Sequence, residues 1–323
     1  QNYLEPSFSI STEFGAESKM MLVALVVALL VVTLAGTSLA QNYRISVVLK
    51  ALNSDYWKTV EAGAYAAAEE FGVEISVIGP SAETQVQEQF DMLQDQLTRE
   101  IDALVVAPLR PTATVAVFDQ AKALNIPDWE HKATFIGTGN YEAGAMAGEY
   151  FMNKMPEGGD VVIIRGAMGD LTHDQRVDGF VDAVKESNIN VVRIQAADSE
   201  RGKGMDVMQN MLMALPGIKG VYCSNDEMAL GALRAAEMGG ADDIIIMGFD
   251  GSPDALKSVR DGGLTGTVKQ DSYGIGYYGI EYTVKLLNGE EIDKRIPVPT
   301  LIIDLDNVAE NIAEMEKIVG RTL

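Results

Sequence analysis

Positive charge, cysteine and imidazole are all scarce in this chain. Lys and Arg total 25 against 47 Asp and Glu, for a formal net charge of −22. That deficit argues against a nucleic-acid partner, because phosphate backbones are bound by basic faces. An acidic surface serves solubility and suits a basic protein partner. The single cysteine, Cys223, excludes any intrachain disulfide, and its place in an apolar run marks a small buried thiol rather than a nucleophile. Two histidines, His131 and His173, are too few for a His-rich metal centre. There is no G-x-S-x-G elbow and no P-loop. No metal, cofactor or catalytic group is expected.

What is present begins with residues 20–34, "MMLVALVVALLVVTL", preceded by Lys19 and followed by "AGTSLA". A basic residue, a short apolar core and small residues at Ser38 and Ala40 read as a secretory signal cleaved before Gln41. The run is short for a bilayer span. Residues 1–40 are therefore expected to be a leader with signal peptide, and the mature protein to be exported.

From Arg44 onward, short apolar runs alternate with helical patterns. "RISVVL" precedes a helix over 56–71, "VEISVIG" a helix over 84–99, and "ALVVA" a helix over 112–124. A second series runs "VVIIR" (161–165), "NVVRIQ" (190–195), "GVYCS" (220–224), "IIIMGF" (244–249) and "GTVKQ" (266–270). Such alternation predicts an α/β fold with doubly wound parallel sheets, and two series predict two lobes. A helix over 276–287 is followed by "LIIDL" (301–305), so the chain is expected to cross between the lobes.

Ligands of open α/β sheets sit beyond the carboxyl ends of the strands. Those ends offer Lys50, Asn53, Ser54, Tyr56 and Trp57 in the first series, and Asn225, Asp226, Asp250 and Gln270 in the second. In "VYCSNDEMALGAL" the strand breaks into Asn225-Asp226-Glu227 just where a helix begins. Such residues either cap the helix by accepting its free N–H groups or hold a polar ligand. Amides, carboxylates, a lysine and two aromatics together suit a polyhydroxylated ligand, whose hydroxyls donate and accept and whose C–H face lies well on a ring.

The segments "VVLKALNSDYW", "YCSNDEMALGAL", "IIIMGFDG" and "GTVKQ" closely resemble the periplasmic sugar-binding proteins of ABC importers, of the ribose/allose type, over about residues 44–304. The fold is shared with the effector domain of LacI-type repressors. The resemblance implies a type I periplasmic binding protein: two lobes joined by a three-strand hinge, capturing a sugar or polyol for an ABC permease. A sugar-responsive chemoreceptor partner and a sugar-modifying enzyme are the alternatives. It implies a monomer in the periplasm, a first lobe of residues 41–138 with 271–299, and a second of 139–270 with 300–323. Carried over position by position, the ligand set is Lys50, Ser54, Tyr56, Trp57, Asp174, Arg176, Asn225, Asp250 and Gln270, with Arg176 read from "THDQRVDGF". On this reading Asn225 touches the ligand and Asp226 caps the helix.

Two departures from the family pattern stand out. Ser199 in "QAADSERGKG" occupies the place where many relatives carry an aromatic against the sugar. After "NIP" at 125–127 the family's buried strand and its ligand-binding aspartate are lacking, since only six residues separate Pro127 from Thr134. An omitted stretch is the expected cause, with Asp128 a weak stand-in. "GIGYYG" (274–279) fits the dinucleotide-binding pattern by letter but opens the last long helix instead of closing a first strand, so helix packing is its expected role. "DLDNVAEN" (304–310 with its neighbour) lacks the glycine of a calcium loop. A repressor core would need a helix-turn-helix before Arg44, where the apolar export segment stands.

Overall fold

The apolar runs fold as strands, and the central ones of the larger sheet are covered on both faces, which is why those lack polar alternation. The computed structural model describes residues 42–110, 114, 117, 134–241, 243–320 and 322–323, with Tyr43–Leu323 as one compact unit. The leader, most of the helix expected at 112–124, and the shortened stretch after Pro127 lie outside the described residues.

Strand β1 (Arg44–Val48) lies between β2 (Glu74–Ile78) and β3 (Ala103–Val106), all parallel, in the order β2-β1-β3. Ile45 and Val47 pack on Val60, Ala64 and Ala67 of helix α1 (Asp55–Phe71). Val48 packs with Leu93 of helix α2 (Val86–Leu97) on the other face. Buried Gln89 of α2 donates to Leu49 O at 2.8 Å and to Ala107 O at 3.0 Å, and accepts from Leu109 N at 2.8 Å. One amide thus satisfies the backbone where β1 and β3 end, and it holds those ends in place.

The second sheet contains β5 (Gly159–Arg165), β6 (Ile189–Ala196), β7 (Gly220–Cys223), β8 (Ile245–Asp250), β9 (Gly266–Gln270) and β11 (Thr300–Ile303). Its order is β11-β9-β8-β7-β5-β6, parallel except for β11, which runs antiparallel to β9. Val161 and Ile163 face helices α3 (Asn140–Lys154) and α4 (Leu171–Val184). Val162 and Ile164 face α5 (Arg201–Ala214), α6 (Asp226–Gly239), α7 (Pro253–Arg260) and α9 (Val308–Val319). Both sheets have their crevice where the chain winds away from the first strand to either side, at β1 and at β5.

Two strands escape the sequence reading: β4 (Phe135–Thr138) and β10 (Arg295–Val298). They pair in parallel with each other, and among the described residues neither bonds to β3, so this side carries two separate sheets. The last long helix, α8 (Ser272–Leu287), starts four residues before the expected Gly276 because Asp271 caps it, accepting from Gly274 N at 2.7 Å. Only Pro299 separates β10 from β11, which belong to different sheets. The chain also leaves β4 into α3 and β9 into α8, and Thr138 Oγ1 donates to Gln270 Oε1 at 2.6 Å, tying those two passages together.

Three helix pairs meet through matched glycines. A side chain on Gly63 or Gly276 would strike the partner backbone at Tyr273 or Val60 in the α1–α8 pair; Gly144 and Gly179 do the same for α3–α4, and Gly204 and Gly231 for α5–α6. In every case the obstructing carbonyl lies three residues before the partner's glycine. The "GIGYYG" segment is thereby explained, with Gly276 in the helix contact and Gly274 against the Asp271 cap.

Candidate functional site

The carboxyl ends of β1, β5, β7, β8 and β9 bring buried polar side chains together. Lys50 follows β1; its Nζ donates to Asp170 Oδ2 at 2.6 Å and to Thr172 Oγ1 at 2.8 Å. Asp170 caps α4, accepting from Thr172 N at 2.9 Å. The ion pair therefore joins the end of the first sheet to a helix on the second. Burial pushes the Asp170 carboxyl up, but the Lys50 ammonium, with His173 and Thr172, outweighs it and holds the group well below the usual carboxylate range.

Ser54 caps α1 by accepting from Trp57 N. Tyr56 and Trp57 meet edge to face with centroids 4.9 Å apart, and Trp57 Nε1 donates to Glu83 Oε1 at 2.9 Å. Burial, then the Asp250 charge, pushes the Tyr56 phenol up.

On the second sheet, Arg176 donates from Nε to Asn140 Oδ1 at 2.8 Å and from Nη1 to Ser224 O at 2.8 Å, and it pairs with Asp250 Oδ1 at 3.4 Å. Its guanidinium lies 3.8 Å from the centre of the Phe249 ring. Gln270 Nε2 donates to Asp250 Oδ1 at 2.6 Å. Asp250 has φ 125°, a region that favours glycine; a non-glycine residue is held there only by its surroundings, at a cost of about 1–3 kcal/mol. Burial raises the Asp250 carboxyl well above its ordinary value, with Arg176 opposing and Asp226 adding to the rise.

Asn225 Oδ1 accepts from Met228 N at 3.0 Å, and its Nδ2 donates to Ser199 O at 3.4 Å. The cap of α6 is Asn225 itself, in extended conformation. Asp226 does not cap as the sequence reading expected. It sits one residue further in, where its carboxylate accepts from Ser252 N and Thr267 Oγ1, each at 2.7 Å. Burial raises its pKa to about 7 against those bonds.

The structure thus brings together Lys50, Tyr56, Trp57, Arg176, Asn225, Asp250 and Gln270, with Ser54 in a capping role. The Asp174 side chain pairs with Arg165 instead of with these residues.

Sequence reasoning missed Glu83, Asn140, Asp170, His173 and Ser224. Glu83 lies five residues past β2, so the rule of reading strand ends would have found it had β2 been included. His173 stands one turn before Arg176 on the same face of α4. Glu83, Asp170 and His173 offer ligand atoms within 4.8 Å of one another, a donor set a divalent cation could use. The Lys50 ammonium on Asp170 and the Trp57 N–H on Glu83 already supply the positive charge and donors these carboxylates need.

Residues 45–291 match the family described as periplasmic binding protein domain. The ribose import binding protein RbsB of Escherichia coli (strain K12) is 33% identical over 84% of this chain and 93% of its own. The D-allose-binding periplasmic protein of the same organism is 31% identical over 78% and 86%. An ABC transporter solute binding protein from Agrobacterium vitis, solved with bound D-fucose, superposes with TM-score 0.79 at 29% identity over 84% of this chain and 98% of its own.

Proposed function

The chain belongs to the periplasmic binding protein family, and from that membership we propose that it captures a sugar or polyol between two lobes and delivers it to the permease of an ABC importer. One observation carries the reading. Buried donors and acceptors at the carboxyl ends of the two sheets are satisfied by each other: Lys50–Asp170 joins the first sheet to a helix on the second, and Arg176–Asp250–Gln270 form a set at the ends of the second. A ligand rich in hydroxyls substitutes for such bonds one for one, since each hydroxyl both donates and accepts. The proposed contacts are Lys50, Tyr56, Arg176, Asn225, Asp250 and Gln270, with Trp57 backing Tyr56. The lobes divide after residues 138, 270 and 299, and the strands there act as hinges.

Titration calorimetry of the secreted protein, whose first residue by mass spectrometry should be Gln41, tests this. The panel is D-ribose, D-allose, D-fucose, D-arabinose and myo-inositol. At least one should bind without turnover, and Asp250→Ala should weaken that binding on the order of tenfold or more. Silence across the panel, or conversion of any member, overturns the reading.

A further inference from the structure

Thr138, Asn140, Arg176, Asp250 and Gln270 are all buried, and their hydrogen bonds close into a ring. Thr138 Oγ1 bonds Gln270 Oε1 at 2.6 Å, Gln270 Nε2 bonds Asp250 Oδ1 at 2.6 Å, and Arg176 Nη1 reaches the same carboxyl oxygen at 3.4 Å. Arg176 Nε bonds Asn140 Oδ1 at 2.8 Å, and Asn140 Nδ2 returns to the Thr138 carbonyl at 3.3 Å. The ring begins and ends on Thr138.

The guanidinium fixes the direction of every bond, because it has hydrogens to give and no acceptor. Asp250 Oδ1 takes an Arg176 hydrogen and so acts as an acceptor, even for a neutral carboxyl, whose proton would sit on Oδ2. Gln270 must then turn its amide nitrogen toward Oδ1. That leaves Gln270 Oε1 facing Thr138, whose hydroxyl has to donate. In the same way Arg176 Nε holds Asn140 Oδ1 and sends the Asn140 nitrogen to the Thr138 carbonyl. The second Nε2 hydrogen of Gln270 bonds no described residue and remains for a ligand oxygen.

The ring also sits where the chain passes between sheets. Thr138 ends β4 and pairs with Val298 of β10, while Gln270 ends β9 and pairs with Thr300 of β11. Pro299 stands between those two partners and has no N–H to bond. The three passages therefore meet at Thr138 and Gln270.

We propose that Thr138 is a positioning residue for ligand capture: its hydroxyl sets the Gln270 amide for the ligand and ties that contact to the hinge. Without the hydroxyl, Gln270 Oε1 is buried with no donor, a cost relieved by turning or shifting the amide. Either response takes Nε2 off Asp250 and displaces the hydrogen offered to the ligand. A bond that merely joined two strands would act differently, lowering stability and leaving the site intact.

The test uses the mature wild-type chain, Thr138→Val, which keeps the branched shape, and Thr138→Ser, which keeps the hydroxyl. In nitrogen-edited NMR without sugar, the Gln270 side-chain NH2 signals are identified by their absence from Gln270→Ala. They should move in Thr138→Val and stay in place in Thr138→Ser. Signals unmoved in Thr138→Val overturn the proposal. In calorimetry with D-ribose and D-allose, Thr138→Val should weaken binding about fivefold, the margin of one neutral hydrogen bond, and Thr138→Ser should bind like wild type. In a Gln270→Ala background, Thr138→Val should cost nothing further. The same loss there would mean that Thr138 acts without Gln270, which also overturns the proposal. The calorimetric arm rests on the sugar-capture reading: if neither sugar binds the wild type, that reading fails, and NMR alone decides the role of Thr138.

Discussion

Tyr222 is fully buried on β7, with its ring stacked on Phe180 at 4.6 Å, and its hydroxyl has no hydrogen-bond partner among the described residues. Burial pushes that phenol up, so it stays neutral, and a buried unsatisfied hydroxyl costs on the order of 1–3 kcal/mol. Tyr222→Phe keeps the stack and removes the cost. Urea denaturation should show it more stable than wild type by about 1 kcal/mol, and a loss of that size instead would mean the hydroxyl has a partner. At this scale the sequence was legible where a residue's role is local. The lysine, amides and carboxylates at the strand ends could be listed before any fold was known, whereas Ser54, read among them as a ligand contact, caps its own helix. That Asn225 and not Asp226 caps the helix could not be read, because both types cap well and only the extended backbone at Asn225 decides between them. Glu83 and His173 lie 90 positions apart. The strand-end rule reaches Glu83 from β2, but the contact between the two comes from the fold alone.

Elements were legible in proportion to their burial. Strands β5, β7 and β8 are covered on both faces and read as unbroken apolar runs. β4 and β10 are four residues each, interrupted by Gly137 and Pro297, with one pairing partner apiece among the described residues; neither length nor composition sets them apart from loop. The matched glycines were equally silent, since a glycine in a helix reads as a weakness until its neighbour is known. Helix α5 holds both kinds. A Cβ on Gly204 would lie 2.7 Å from Met228 O, whereas one on Gly202 meets nothing within 4 Å. Gly204→Ala should therefore cost about 1–3 kcal/mol by forcing α5 and α6 apart, and Gly202→Ala should gain about 0.5–1 kcal/mol from helix propensity and a less flexible unfolded chain. Thermal unfolding of the pair distinguishes the two sites; equal effects of one sign would show that the helices do not pack as described.

For the whole molecule, the order of the strands and the passage of the chain between sheets at 139, 271 and 299 make relative rotation about those points the natural motion. A ligand favours the closed arrangement only by the contacts it makes there and not in the open one. The radius of gyration should fall when a tight-binding sugar saturates the protein, and an unchanged scattering profile at saturation proven by calorimetry would rule out closure as the response. Such a motion also lends itself to an optical readout, for a reason that lies in β7. Cys223, the single cysteine of the chain, is completely buried, and burial raises its thiol well above the ordinary range, so alkylating reagents find almost no thiolate to attack. A cysteine introduced at Met168, 63% exposed just before α4, would be the one thiol a dye could reach. The protein could then be turned into a fluorescent sugar sensor by one substitution, with no native cysteine to remove first.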